Sequence, residues 1–102
     1  MSTWHEVGNI QEIPQRASRV VQTEEGDIAI FRTSNDDIFA LADRCPHLGG
    51  PLSQGIVHGT TVTCPLHQWN IDLNTGEAIA PDVGCAGHIP VKVESNVIYI
   101  EL

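Results

Sequence analysis

Short runs of apolar and β-branched residues recur at close intervals along the chain. Three of them occupy residues 18–23, 27–33 and 37–43, and turn-forming residues separate them at 24–26 and 34–36. These runs are rich in Val, Ile and Phe and alternate in part between apolar and polar positions, which is the pattern of half-buried strands. We therefore expect successive antiparallel strands joined by hairpins.

The same pattern continues through the second half of the chain. Residues 60–65 are β-branched and strand-like, and residues 69–78 predict a strand, a turn at 74–76 and a second strand. Residues 88–102 predict two strands around a turn at Ser95–Asn96. Helix signals are weak, and Pro14 limits residues 9–16 to a short turn. The sequence predicts an all-β fold, an antiparallel sandwich or barrel.

The length and the net charge of the chain limit its domain number and the kinds of partner it can bind. The chain has 102 residues, which predicts one domain over 1–102. No stretch has the length of a transmembrane helix, and the N-terminus lacks the pattern of a signal peptide, so we expect a cytoplasmic protein without a membrane partner. The net charge of −8 argues against nucleic acid and suits docking to a basic protein surface.

Two short segments combine one Cys and one His, with a Pro directly after each Cys. The first has Cys45 and His47, and the second has Cys64 and His67. A third cysteine, Cys85, brings the total to three. An odd number of cysteines in a chain without an export signal indicates metal binding rather than a disulfide framework.

Two kinds of metal site compete for these four residues. A structural zinc ion accepts two Cys and two His, although such sites usually group like ligands as C-x₂₋₄-C and H-x₃₋₅-H. A [2Fe–2S] cluster of the Rieske kind also takes two Cys and two His, one pair on each iron. The order Cys, His, Cys, His suits two loops that clasp a two-iron cluster from opposite sides.

The chain resembles the Rieske family in its motif and in the residues around it. C-P-H at 45–47, sixteen intervening residues and C-P-L-H at 64–67 are similar to the Rieske motif C-x-H…C-x-x-H. The likeness extends over 47–55 and 64–78. It implies a Rieske-type fold, a [2Fe–2S] cluster bound by those four residues, and a cluster-binding subdomain of two hairpin loops at about 43–84. Pro81 then falls in a third loop that shields the cluster.

Departures from the cytochrome bc branch of the family predict a low reduction potential. That branch carries an extra Cys in each loop, and the two form a disulfide brace; the matching positions here are Gly50 and Leu66. It also places Ser and Tyr after the second His, where this chain runs Gln68, Trp69, Asn70. Fewer hydrogen-bond donors to the cluster sulfurs stabilise the reduced cluster less, which lowers the potential.

Within the soluble branches, the loops and the segment "PDVGC" at 81–85 resemble the small subunit of assimilatory NAD(P)H-dependent nitrite reductase. The resemblance implies a large partner subunit with flavin and sirohaem that reduces nitrite to ammonium. The small subunit would transfer electrons without an active site of its own, and the chain shows no Gly-rich nucleotide loop. The alternative is the Rieske ferredoxin of an aromatic-ring dioxygenase, with an oxygenase or reductase as partner.

The remaining Cys, His and Trp residues predict no chemistry of their own. Cys85 is expected to be a spare, packed thiol, because four ligands are already available. Trp69 is expected to fill the core rather than to cover the cluster. His5, His58 and His88 are expected to be surface or strand residues.

Overall fold

The computed structural model describes residues 3–24, 26–45, 50–65 and 68–102. Regular helix in these ranges is limited to two short 3₁₀ turns, Ile10–Glu12 and Leu52–Gln54. No helix in the described part of the chain is long and apolar enough to cross a bilayer. The strands in these ranges are β1 Trp4–Asn9, β2 Ala17–Thr23, β3 Gly26–Arg32, β4 Ile38–Ala42, β5 Ile56–His58, β6 Thr61–Thr63, β7 Asn70–Asp72, β8 His88–Ile89, β9 Val91–Glu94 and β10 Val97–Glu101.

The strands form three antiparallel sheets. Their orders are β1-β10-β9, β2-β3-β4-β8 and β5-β6-β7. We call them the terminal sheet, the central sheet and the loop-bearing sheet. The terminal sheet joins the two ends of the described chain, with Trp4 opposite Glu101. The prediction of an all-β antiparallel fold is confirmed.

Strand β3, an inner strand of the central sheet, is buried on both faces. Successive residues of a strand point to opposite sides, and β3 is apolar at every position from Ile28 to Phe31. Ile28 and Ile30 pack in one buried cluster with Ile98 and Ile100 of the terminal sheet. Ala29 and Phe31 belong to a second cluster, which also contains residues of the loop-bearing sheet. The central sheet therefore lies between two apolar layers.

The second apolar cluster contains two of the predicted metal ligands, Cys45 and Cys64. It joins β3 and β4 to all three strands of the loop-bearing sheet, and it includes two of the three cysteines. We call it the cysteine cluster. Its buried members are Ala29, Phe31, Leu41, Cys45, Leu52, Val57, Val62, Cys64, Ile71, Leu73 and Ala86.

Most of the predicted strands are present, with bounds shifted by one or a few residues. The final hairpin turns at Ser95 and Asn96, whose φ angles of 50° and 67° match a tight two-residue turn. The predicted turn at 24–26 includes Glu25, which lies outside the described residues. The second strand predicted within 69–78 is absent as a regular strand, because Glu77 and Ala78 make only isolated bridges, to Cys85 and Ile71. Strands β1 and β5 were not predicted, and the strand predicted from residue 88 is divided at Pro90 into β8 and β9.

A close backbone contact between the second 3₁₀ turn and β6 requires a glycine. Gly55 has an ordinary φ of −78°, but a Cβ there would collide with the carbonyl oxygen of Thr63, next to Cys64. Gly87 is a matched site, because its Cβ would meet only the Ala42 side chain at 3.4 Å.

Replacing Gly55 with Ala should destabilise the fold, because a backbone carbonyl has little freedom to move aside. We expect Gly55→Ala to lower the free energy of unfolding by about 1–3 kcal/mol, the usual cost of overpacking. Gly87→Ala should change it by less than about 0.5 kcal/mol. Urea unfolding followed by circular dichroism measures both, and equal losses for the two variants would contradict the contact at Gly55.

Candidate metal centre

The structure brings Cys45 and Cys64 into the same buried environment. Cys45 lies shortly after the end of β4, and Cys64 follows β6 directly. Their relative exposures are 1% and 0%, and both belong to the cysteine cluster. Two thiols from different sheets are thus held in one apolar region.

Each cysteine begins a loop that is closed in the same way. The backbone N–H of Cys45 donates to the carbonyl oxygen of Gly50, and that of Cys64 donates to the carbonyl oxygen of Trp69. Both N–O distances are 2.7 Å, and both bonds reach the fifth residue after the cysteine. The two segments that contain the Cys–His pairs therefore begin and end at equivalent points.

Side chains flank both closures. Before the first loop, the Asp43 carboxylate accepts hydrogen bonds from the backbone N–H and the hydroxyl of Ser53, at 2.7 and 2.8 Å. Beside the second loop, the Thr63 hydroxyl donates to Oδ1 of Asn70 at 2.7 Å. His58 Nε2 lies 2.7 Å from the same hydroxyl. Each loop is thus closed once by backbone and once more by side chains.

Two of the four predicted ligands lie outside the described residues. His47 falls in 46–49, and His67 falls in 66–67 together with Leu66. No three His, Cys, Asp or Glu side chains of the described ranges come together in a group that could hold a metal ion. The ligand set of Cys45, His47, Cys64 and His67 therefore stays a prediction, for which the structure places the two thiols.

The segment at 79–85 borders the second loop. The N–H of Ile79 donates to the carbonyl of Asn70 at 2.8 Å, and that of Ala78 donates to the carbonyl of Gly84 at 2.9 Å. Pro81 follows a cis peptide bond, and Val83 has 86% of its surface exposed. This segment is an exposed loop beside the strand that follows Cys64; that Pro81 shields a cluster stays a prediction.

Cys85 is exposed, so the prediction of a packed thiol is wrong. Its backbone bridges to Glu77 at the surface, and its Sγ donates to the carbonyl of Ala86 at 3.2 Å. The chain turns the next residue inward instead, since Ala86 is buried in the cysteine cluster. Alternation along an extended segment therefore sends the small residue inside and the thiol outside.

The prediction for the other histidines is confirmed, and that for Trp69 stays a prediction. Trp69 is partly buried and packs against the cysteine cluster. His5, His58 and His88 are exposed and lie in β1, β5 and β8. Asp43 and Ser53 were missed, although a carboxylate two positions before the first Cys and a serine soon after Gly50 were visible in the sequence.

The donor set fits an iron–sulfur cluster. Thiolate sulfur is the protein ligand of such clusters, and it also suits zinc. An apolar surrounding limits solvent access to a cluster, which is one of the factors that set its potential. Geometry alone therefore leaves the identity of the metal open between these two.

Comparison with known families decides between them. The family model of the Rieske [2Fe–2S] domain matches residues 3–91, most of the chain. The chain belongs to the Rieske [2Fe–2S] family. Its cofactor is a [2Fe–2S] cluster, and the zinc alternative is set aside.

Several Rieske proteins are similar to this chain over nearly its whole length. The ferredoxin subunit of 3-phenylpropionate/cinnamic acid dioxygenase from Photorhabdus laumondii is 35% identical over 96 residues, covering 92% of this chain and 90% of its own. Among solved structures, the ferredoxin of carbazole 1,9a-dioxygenase from Nocardioides aromaticivorans superposes with a TM-score of 0.86 at 22% identity, covering 96% of each chain.

A solved structure from the nitrite reductase branch has a similar fold to this chain as well. A Mycobacterium tuberculosis protein assigned as the small subunit of an NADH-dependent nitrite reductase gives a TM-score of 0.88 at 19% identity, covering 100% of this chain and 96% of its own. At these identities the two structures establish the Rieske fold, and the fold does not separate the two branches.

Exchange of single cysteines tests the ligand assignment. Cys64→Ser should abolish the visible absorption of the purified protein and destabilise the loop-bearing sheet, because metal binding contributes to folding free energy. Cys85→Ser is the matched control and should leave the spectrum intact, since Cys85 is exposed. Absorption spectra and iron content measure both variants. Bleaching by Cys85→Ser with retention of colour in Cys64→Ser would show that the assignment is wrong.

Proposed function

We propose that this chain is the electron-transfer small subunit of an NAD(P)H-dependent assimilatory nitrite reductase. The electron-transfer role is carried by one observation: in a Rieske-family chain, two buried cysteines begin two loops with identical backbone closures. In this proposal Cys45 and Cys64 bind one iron of the cluster, and His47 and His67 bind the other. Residues 43–84 form the cluster-binding part.

The described residues support such a role by holding the thiols in place. A [2Fe–2S] cluster takes up and releases one electron at a time. The cysteine cluster surrounds both thiols with apolar side chains, and the paired closures fix the backbone at each cysteine. A site fixed in advance needs little rearrangement when its charge changes.

Two features support the nitrite reductase branch in particular. The loops at 47–55 and 64–78 and the Gly–Cys pair of "PDVGC" resemble the small subunit of that enzyme. The same Gly–Cys pair lies on the exposed loop that borders the second Cys–His segment, with Val83 and Cys85 open to solvent. An exposed loop beside an electron-transfer site suits contact with a large flavin- and sirohaem-containing subunit.

The second candidate is a Rieske ferredoxin that supplies electrons to an aromatic-ring dioxygenase. The identity of 35% over 96 residues to a dioxygenase ferredoxin subunit favours it. In that case the partners would be an oxygenase and a reductase. Both candidates require a redox partner protein, and the net charge of −8 suits a basic docking surface on either.

Reconstitution separates the two candidates. The holo-protein is added to the large nitrite reductase subunit of the same organism, and ammonium formation from nitrite and NAD(P)H is followed. We expect ammonium formation to require this chain and to be lost when the chain carries Cys64→Ser. The Cys85→Ser variant should still contain its cluster. Two results together would contradict the nitrite reductase proposal. Ammonium formation would be unchanged when this chain is left out, and this chain would transfer electrons to a dioxygenase component.

The potential of the cluster should lie toward the low end of the Rieske range. That range runs from about −150 to +300 mV, and hydrogen bonds to the cluster sulfurs raise the potential. This chain has Gln68, Trp69 and Asn70 where the high-potential branch supplies Ser and Tyr. A redox titration followed by circular dichroism measures the midpoint. A value above about +100 mV, in the upper part of that range, would contradict the expectation.

A further inference from the structure

The first loop has a second closure outside the one at Cys45. Both carboxylate oxygens of Asp43 are engaged, one by the N–H of Ser53 at 2.7 Å and the other by its hydroxyl at 2.8 Å. We propose that Asp43 and Ser53 form a noncovalent clamp that positions Cys45 and retains the cluster. This inference rests on the proposed ligation by Cys45.

The two closures are nested around the first Cys–His segment. The inner one joins the Cys45 N–H to the Gly50 carbonyl, and the outer one joins Asp43 to Ser53. Bonds to an ionised carboxylate are stronger than those between neutral groups, and two of them fix the orientation of the serine. Displacement of Cys45 relative to the residues after Gly50 therefore requires both closures to open.

The clamp is itself fixed to the central sheet at both ends. The N–H of Asp43 donates to the carbonyl of Asp27 in β3 at 2.9 Å. The carbonyl of Ser53 accepts the hydroxyl of Ser18 in β2 at 2.6 Å. Leu52, next to Ser53, is fully buried in the cysteine cluster. The clamp thus transmits the rigidity of the central sheet to the first loop.

No disulfide can brace the first loop at position 50, because the residue there is Gly50. Gly50, where the high-potential branch carries one of its bracing cysteines, is buried and supplies only its carbonyl to the inner closure. No disulfide at Gly50 constrains the first loop, so noncovalent contacts add to the proposed ligation by Cys45 in holding it. Among the described residues that flank this loop, the Asp43 carboxylate closes it by two side-chain hydrogen bonds.

Asp27 provides a matched control for the charge of Asp43. The two residues are adjacent on neighbouring strands, because Ile28 pairs with Ala42 and the Asp43 N–H binds the Asp27 carbonyl. Asp27→Ala removes one negative charge at the same end of the central sheet and leaves the hydrogen bonds to Ser53 in place. Any effect of Asp43→Ala beyond that of Asp27→Ala then reports the clamp.

The experiment measures iron release from the holo-protein to a chelator, with circular dichroism of the same samples to follow unfolding. We expect Asp43→Ala to release iron about tenfold faster than the native protein, because two charge-assisted hydrogen bonds are lost. The EPR signal of its reduced cluster should also broaden. Asp27→Ala should match the native protein in both measurements.

Ser53→Ala is a milder variant in case Asp43→Ala does not fold. It removes only the hydroxyl and keeps the backbone N–H, so iron release should rise by about threefold. The double variant should release iron no faster than Asp43→Ala, because the two residues act through one interaction.

Three results would overturn the clamp. These are equal release rates for Asp43→Ala and Asp27→Ala, an unchanged EPR signal in Asp43→Ala and Ser53→Ala, and iron release that only follows global unfolding. Failure of the ligand proposal is recognised separately, since Cys45→Ser would then retain its iron and colour whatever the Asp43 variants do.

Discussion

Burial of strand β3 of the central sheet on both faces is the constraint on which the rest of the structure depends. Ile28 and Ile30 face the terminal sheet, and Ala29 and Phe31 face the cysteine cluster. A strand that is apolar at successive positions cannot leave either face to water without a large loss of hydrophobic stabilisation. The terminal sheet covers one face, and the loop-bearing sheet, whose strand β6 leads into Cys64, covers the other. The candidate metal centre is therefore part of the packing of the fold.

This arrangement explains why both cysteines can be buried in a chain of 102 residues. Cys45 follows a strand of the central sheet, and Cys64 follows a strand of the loop-bearing sheet. The apolar layer between those sheets brings the two strand ends together. The matching backbone hydrogen bonds, Cys45 N–H to Gly50 and Cys64 N–H to Trp69, then hold the two cysteines in the same way although the residues around them differ.

The sequence predicted the chemistry better than the arrangement. Alternating apolar residues predicted most of the longer strands. The order and spacing of Cys and His left zinc and a [2Fe–2S] cluster as alternatives, and the resemblance of both loops to Rieske proteins indicated the family. Strand β1 was missed because its partner β10 lies at the other end of the chain, so no local pattern reveals their pairing. Strand β5 has only three residues, too few for a periodicity to show.

At the candidate site, too, the sequence predicted some features and missed others. The closures at Cys45 and Cys64 use backbone groups, which every residue type carries, so residue identity does not predict them. Asp43 and Ser53 are common loop residues, and only the structure shows that they meet. The exposure of Cys85 depends on which of two neighbours turns inward, and the burial of Ala86 decides it.

Holding the metal requires fixed, buried residues, whereas binding a partner protein requires exposed ones. The residues that begin and close the two Cys–His segments are held by backbone bonds of 2.7 Å to carbonyls within the fold. The neighbouring segment at 79–85 instead exposes Val83 and Cys85. Because the N–H of Ile79 donates to the carbonyl of Asn70, the first residue of β7, a contact made on this segment lies beside that strand. The cysteines that begin the two Cys–His segments are therefore constrained by burial and backbone hydrogen bonds as well as by the metal, whereas Val83 and Cys85 present side chains that a partner can contact.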